Sequence, residues 1–230
     1  MRATPLSMSA SESSSGVDGM PRKPRALAFD FDGTLADSVD YMANTWLKLA
    51  RSMGVEPKVD VKELVGMTGN EIARILAGGD KGLLAKIAER RREAFDTQLY
   101  IENVELFPDS IPVLGELRRR GYSMALASST MIERIRTMAS AFKVDAFFDV
   151  IVGGDEVPRS KPAPDLIVEA ASKLGVPTAE LAYIGDTRHD VRASLEAGAI
   201  AILVMRTQGE YSGPEPDLRV QSLSGLLNYL

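Results

Sequence analysis

The chain has no cysteine among its 230 residues. Disulfides and thiolate chemistry are therefore excluded, while the redox compartment stays open. An excess of basic charge is also missing: 27 Lys and Arg stand against 32 Asp and Glu, a net charge of −5. That balance argues against nucleic acid as a partner. It also means that a phosphate-bearing ligand would need positive charge supplied locally, by a metal ion or a lysine. No stretch approaches the roughly 18 consecutive apolar residues of a membrane span. The segment before Arg25 lacks the apolar centre of a secretory signal, and no internal repeat or heptad is visible.

What is present is a hydrophobic content of 45%, enough for one sizeable domain or a domain carrying an insertion. Residues 1–24 read as a disordered tail, because Ser7 to Gly19 is rich in serine; Met20 could equally be the start. From Arg25 onward, short apolar runs alternate with helical patterns. The runs are Ala26–Phe29, Ser123–Ala127, Val150–Val152, Leu181–Ile184 and Ala201–Met205. Their nearly unbroken apolar character suits parallel strands covered on both faces. Helical spacing marks Asp109–Arg120, Ile132–Ala141, Ala163–Leu174 and Val191–Ala197, with Gly121, Gly175 and Gly198 where helices should stop. The alternation predicts an open α/β sheet.

One interval breaks this rhythm. Between the first and second strands, Val39, Met42, Ala43, Trp46, Leu47, Ala50 and Met53 recur at helical spacing, and further helical patterns cover Asn70–Leu76 and Leu83–Leu99. An all-helical block over 38–104 is therefore expected inside a core made of 25–37 and 105–230. Gly78-Gly79 should end one of its helices. The runs Arg90–Arg92 and Arg118–Arg120 read as solvated helix faces.

The strand ends carry the chemistry. "ALAFDFDGTLADS" places Asp30 and Asp32 at the end of an apolar run and follows them with Gly33 and Thr34. Two like charges so close need a cation or a proton to be tolerated. A hairpin at Asp32-Gly33 would require a second strand at once, and a helix follows instead. Residues two apart on a strand share a face, so the two acids converge if extension persists; Gly33 permits a tight turn that exposes amides to an anion. The second strand ends in Ser128, Ser129 and Thr130, hydroxyls suited to an anion at a helix start. The third leads to "SKPAPD", where Pro162 and Pro164 stiffen the setting of Lys161. The fourth ends in "GDTRHD", giving Asp186 and, one helical turn on, Asp190.

Asp-x-Asp, Ser, Lys and Asp-x-x-x-Asp at four successive strand ends resemble the four motifs of the haloacid dehalogenase superfamily, in its order and over about Ala26 to Met205. The resemblance implies a Rossmann-like core with a helical cap inserted after the first strand, the C1 position. It implies Asp30 as nucleophile, Asp32 as general acid/base, and Mg²⁺ held by Asp30, the backbone carbonyl of Asp32 and Asp186. Lys161, Ser128, Ser129, Gly33 and Thr34 would then bind phosphate, with Asp190 orienting Lys161 or a metal-bound water. His189 lies at a position the family treats as variable, and Met67 and Trp46 are assigned to cap packing. Gly66 to Asn70 and Leu35 to Ser38 are the expected substrate-facing loops.

Asp32 favours phosphoester chemistry, since dehalogenase and phosphonatase relatives replace that acid. The related sugar phosphomutases of the beta-phosphoglucomutase type carry a histidine where this chain has Met42 and an arginine where it has Gly69, which favours hydrolysis. The phosphoglycolate phosphatase-like group fits best. Phosphomutase activity is the alternative within the family. A phospho-accepting receiver module is the alternative outside it, disfavoured by the helical insertion. The expected protein is a cytoplasmic monomer or homodimer acting on a small phosphorylated metabolite, away from membranes.

Overall fold

The computed structural model describes residues 22–206 and 211–230, so nearly all of the expected tail, Met20 included, lies outside the described residues. Six strands form one sheet: β1 (Ala26–Phe29), β2 (Ser123–Ala127), β3 (Val150–Val152), β4 (Leu181–Gly185), β5 (Ile200–Val204) and β6 (Leu218–Val220). Their order is β3-β2-β1-β4-β5-β6, and every pair is parallel. β1 sits centrally, and all four of its residues are fully buried. Both faces are covered, which is why the central strands have no polar alternation. Each fully buried Leu or Phe there contributes about 1.5–3 kcal/mol relative to exposure.

Helices follow the strands as expected, with α1 (Val39–Ser52), α2 (Gly69–Ala77), α3 (Lys81–Ala94) and α4 (Thr97–Asn103) preceding β2. Next come α5 (Ser110–Arg119), α6 (Ile132–Ala141), α7 (Asp165–Leu174) and α8 (Arg188–Ala197). Among the described residues, none is long and apolar enough to cross a membrane. The first three helices build a hydrophobic cluster of their own around Trp46, Ile72, Leu76 and Ile87.

Three expectations need correction. The pattern over Leu83–Leu99 is two helices, because Asp96 starts a new one by accepting the Leu99 amide on its side chain at 2.9 Å. The second of these, α4, sends Tyr100 into the core beneath the sheet, with Phe31 and Leu126. Strand β6 was not anticipated; it is a three-residue edge strand with an exposed Arg219 at its centre, too short and too polar to register as an apolar run. Extension also stops at Phe29, so Asp30 and Asp32 do not share one strand face. Residues 31–36 instead form a tight loop in which the amides of Leu35 and Ala36 both donate to the Phe31 carbonyl.

Candidate active site

In a sheet of this order, β1 and β4 flank the point where the direction of winding reverses, and ligands bind beyond the carboxyl ends of such strands. Phe29 is in register with Leu126 and Ile184, so the residues following all three strands emerge along one edge. The Asp30 amide donates to the Ile184 carbonyl at 2.9 Å, and its carboxylate enters a buried cluster. Lys161 Nζ lies 2.6 Å from Asp30 Oδ2 and 2.7 Å from Asp190 Oδ1, and it donates to Tyr183 Oη at 3.1 Å. All three ion-paired side chains are effectively excluded from solvent.

Asp186 completes the cluster. One carboxylate oxygen from each of Asp30, Asp186 and Asp190 lies within 4.8 Å of the others. Burial pushes Asp30 up to about 7, with Lys161 opposing and Asp190 adding to the shift. Burial, then the charges of Asp190 and Asp30, hold Asp186 well above the usual carboxylate range. Asp190 stays below that range: burial works against it, but the Lys161 ammonium and the hydrogen bonds of Thr187 favour its anion. Lys161 stays well above its usual value because Asp190 and Asp30 outweigh its burial. One lysine thus serves a cluster of three acids, of which Asp30 and Asp190 are buried and Asp186 is half-buried. An oxygen-only donor set with unmatched negative charge suits a hard divalent cation such as Mg²⁺.

Gly33 makes this packing possible. Its φ is +75°, and a Cβ there would collide with Asp186 Oδ2, so the acid lies directly against the Asp32-Gly33 backbone. The Gly33 amide donates to the Ala36 carbonyl and the Thr34 amide to Phe31. These two amides are therefore not the exposed anion donors expected of the turn. Among the backbone bonds found, Phe31 and Asp32 are the loop amides without an acceptor. Thr34, expected on the phosphate side, donates its hydroxyl to Asp186 Oδ1 at 3.0 Å.

Asp32 is not part of that three-acid group and has partners of its own. Its Oδ1 accepts from Ser38 Oγ at 2.7 Å and from Tyr100 Oη at 2.6 Å. Burial and the Asp32 charge hold the Tyr100 hydroxyl well above its usual pKa, so it is a neutral donor. Ser38, in the loop expected to face substrate, is instead fully buried and outside the cavity lining; Tyr100, an aromatic at helical spacing, carries no local sign of its role.

Asp30 and Asp32 open into a cavity of about 630 Å³ between the sheet edge and the helical block. Ser128, Ser129 and Thr130 line its floor, and Gly66, Met67 and Gly69 face it from the block, as expected of that loop. Ser128 Oγ accepts from the Thr130 amide at 3.2 Å. Ser129 is differently employed from the phosphate role foreseen: its hydroxyl donates to the Gly66 carbonyl at 2.8 Å and accepts from Ser160, tying the block to the core. His189 adds to that tie, with Nε2 3.1 Å from the Glu63 carbonyl. Met67 and Trp46 pack in the block's cluster and also border the cavity. Of the run Arg90–Arg92, expected as a solvated face, Arg90 and Arg92 are exposed and Arg91 is half-buried; Arg91 and Arg92 border the cavity.

A parallel α/β sheet with an acid at each switch-point strand end and a buried lysine between them is an arrangement suited to an anionic ligand held with a cation. Residues 27–204 match the haloacid dehalogenase-like hydrolase family, and the chain belongs to it. Curated relatives include phosphoglycolate phosphatases from Photorhabdus laumondii (29% identical over 182 residues, 76% of this chain and 77% of that protein) and from Pseudomonas fluorescens (32% over 183 residues, 76% and 67%). Among solved structures, CbbY from Rhodobacter sphaeroides in complex with phosphate superposes with a TM-score of 0.73 at 26% identity, covering 90% of this chain and 99% of that one. The protein is a phosphatase of this family. The family match leaves the receiver-module alternative without support.

Proposed function

We propose that this phosphatase hydrolyses a small phosphomonoester through a phosphoryl group carried transiently on Asp30, with Mg²⁺ as cofactor and a phosphoglycolate-like substrate. The observation that carries this reading is the cluster that gathers around Asp30, the residue of it that borders the cavity. There Asp30 is held by Lys161 at 2.6 Å and grouped with Asp186 and Asp190. The Asp30 carboxylate attacks phosphorus, the bond to the ester oxygen breaks, and Asp32 protonates that oxygen as it leaves. Asp32 then takes a proton from the water that attacks the aspartyl-phosphate, and inorganic phosphate departs from a regenerated carboxylate. Lys161 neutralises phosphoryl charge, while Ser128 and the amides of Phe31 and Asp32 are placed to bind phosphoryl oxygens. Asp190 orients Lys161.

Asp30, Asp186 and the Asp32 carbonyl would hold Mg²⁺. When bound, it supplies the charge that screens an anionic nucleophile from an anionic substrate. The helical block over 38–104 acts as the cap, excluding water from the cavity. Met42 borders the cavity where phosphomutases of this type carry a histidine, and the chain's one histidine is buried against Glu63. Both features favour hydrolysis over phosphoryl transfer to a sugar.

Phosphate release from a panel of small phosphomonoesters, with and without Mg²⁺, tests the reading. Mg²⁺-dependent release that is abolished in Asp30→Asn, with an unchanged circular dichroism spectrum, is the expected result. Turnover surviving in that variant, or no release from any ester, overturns it.

A further inference from the structure

Two guanidinium groups reach the same cavity from opposite walls, and among the described residues neither forms an ion pair with a carboxylate. Arg91 comes from α3 in the helical block and Arg134 from α6 beside the sheet. Arg134 Nη1 donates to the Phe95 carbonyl at 2.6 Å. Its guanidinium carbon lies 5.5 Å from the Tyr100 ring centre and 5.9 Å from that of Phe95, and its Nη2 is buried with no hydrogen-bond partner. A buried cationic donor left unmatched is costly, and native proteins rarely carry one without use.

Arg91 is held on the helical block. Its Nη1 donates to Asn70 Oδ1 at 3.0 Å, and a Cβ on Gly69 would fall 2.5 Å from that nitrogen. The absence of a side chain at 69 is thus what lets the guanidinium lie against the start of α2. Burial and the positive charge of Arg134 hold Arg91 below its usual pKa, the direction expected of two cations facing each other without an anion between them. Arg92, Asp96 and Glu133 also border the cavity; Asp96 is engaged as the cap of α4.

We propose that Arg91 and Arg134 form a second anion site, so that the substrate carries a carboxylate or a second phosphate in addition to the phosphoryl group that reacts. The proposal rests on the phosphatase reading above and assigns the residues that would hold the far end of its substrate. It also bounds substrate length, because Tyr100 links Arg134 to Asp32: its ring centre lies 5.5 Å from the guanidinium carbon and its hydroxyl donates to Asp32 Oδ1 at 2.6 Å. An anion at Arg134 is therefore joined to the reacting ester oxygen by a short carbon chain. Because one arginine belongs to each wall, the anion would also draw the helical block onto the core.

The test is equilibrium titration of the Asp30→Asn protein, in Mg²⁺, with three esters differing only at their far end: ethyl phosphate, 2-phosphoglycolate and ethane-1,2-diyl bisphosphate. Charge-assisted hydrogen bonds predict that at least one anionic-tailed ligand binds about tenfold or more tightly than ethyl phosphate. Which one gains decides between carboxylate and phosphate. Adding Arg91→Gln or Arg134→Gln should collapse the difference to roughly threefold or less. Arg91→Gln keeps the test decisive if loss of the half-buried Arg134 disturbs folding, and circular dichroism monitors both. Three ligands that bind alike, or none that binds, or a preference that survives both substitutions, overturns the second anion site. Since binding is read in a variant lacking the nucleophile, failure of the hydrolytic reading is recognised separately, by absent phosphate release from the unaltered chain.

Discussion

The hydroxyl of Tyr100 donates to Asp32 Oδ1 at 2.6 Å across a separation of 68 residues. With Ser38 on the same oxygen, it fixes the orientation of the carboxylate proposed as acid and base, leaving the other oxygen for proton exchange. Tyr100 is itself held edge-on to Tyr41 and Phe142, so the donor has little freedom to follow a misplaced acid.

Tyr100→Phe removes this donor at nearly constant shape. Hydrogen bonds to charged groups contribute about 1.5–3 kcal/mol, so kcat should fall by roughly tenfold to a hundredfold. Single-turnover kinetics should place the loss in the chemical steps, with the thermal midpoint lowered by only a few degrees. An unchanged kcat would remove Tyr100 from the account of Asp32.

Mg²⁺ should stabilise the protein more as pH rises. Asp30 is raised to about 7 and Asp186 is raised as well, so the folded chain keeps these protons longer than the unfolded chain. Their contribution to stability without metal is complete below the usual carboxylate value and is lost as pH climbs toward 7. A bound cation favours the ionised forms and reverses that loss. His189 is depressed by burial and pulls the other way below its usual value, but it is outside the acid cluster and cancels in the difference. Thermal melts in chelator and in Mg²⁺, at about pH 5.5 and about pH 7.5, should show the increment growing by several degrees. A constant increment would mean that these acids do not hold the ion.

Gly33→Ala should act through Asp186. The added Cβ meets that carboxylate and must also adopt a positive φ, a backbone conformation costing roughly 1–2 kcal/mol for residues other than glycine. Activity should drop by at least about a hundredfold, and the Mg²⁺ increment in thermal midpoint should shrink, while the sheet persists by circular dichroism. Retention of both activity and increment would refute the close approach as a functional constraint.

Much of the frame was legible because its signals are local. β1, β2, β3 and α6 have the bounds their apolar runs and spacing indicate, since a strand buried on both faces must be apolar at every position. Asp30 and Asp186 could be located because each directly follows such a run, whereas Lys161 was marked by its flanking prolines and Asp190 by standing one helical turn beyond Asp186. Less legible was the employment of hydroxyls. Thr34 and Ser129 have the chemistry to bind phosphate, and the folded chain engages them with Asp186 and Gly66. The break at Phe95 was hidden by a continuous charged helix pattern, although Asp96 carries the capping side chain that causes it.

By itself the sequence determined the alternation of strands and helices, the helical insertion and the order in which acids and lysine reach one sheet edge. Each of these follows from backbone geometry and side-chain polarity over a few neighbouring residues. Only the tertiary structure decided that Tyr100 meets Asp32, that Arg91 settles on Gly69, and that Arg134 faces the cavity from the other wall. Helical periodicity says which face of a helix is buried; how far that helix slides and turns on its neighbour is set by packing between segments distant in the chain.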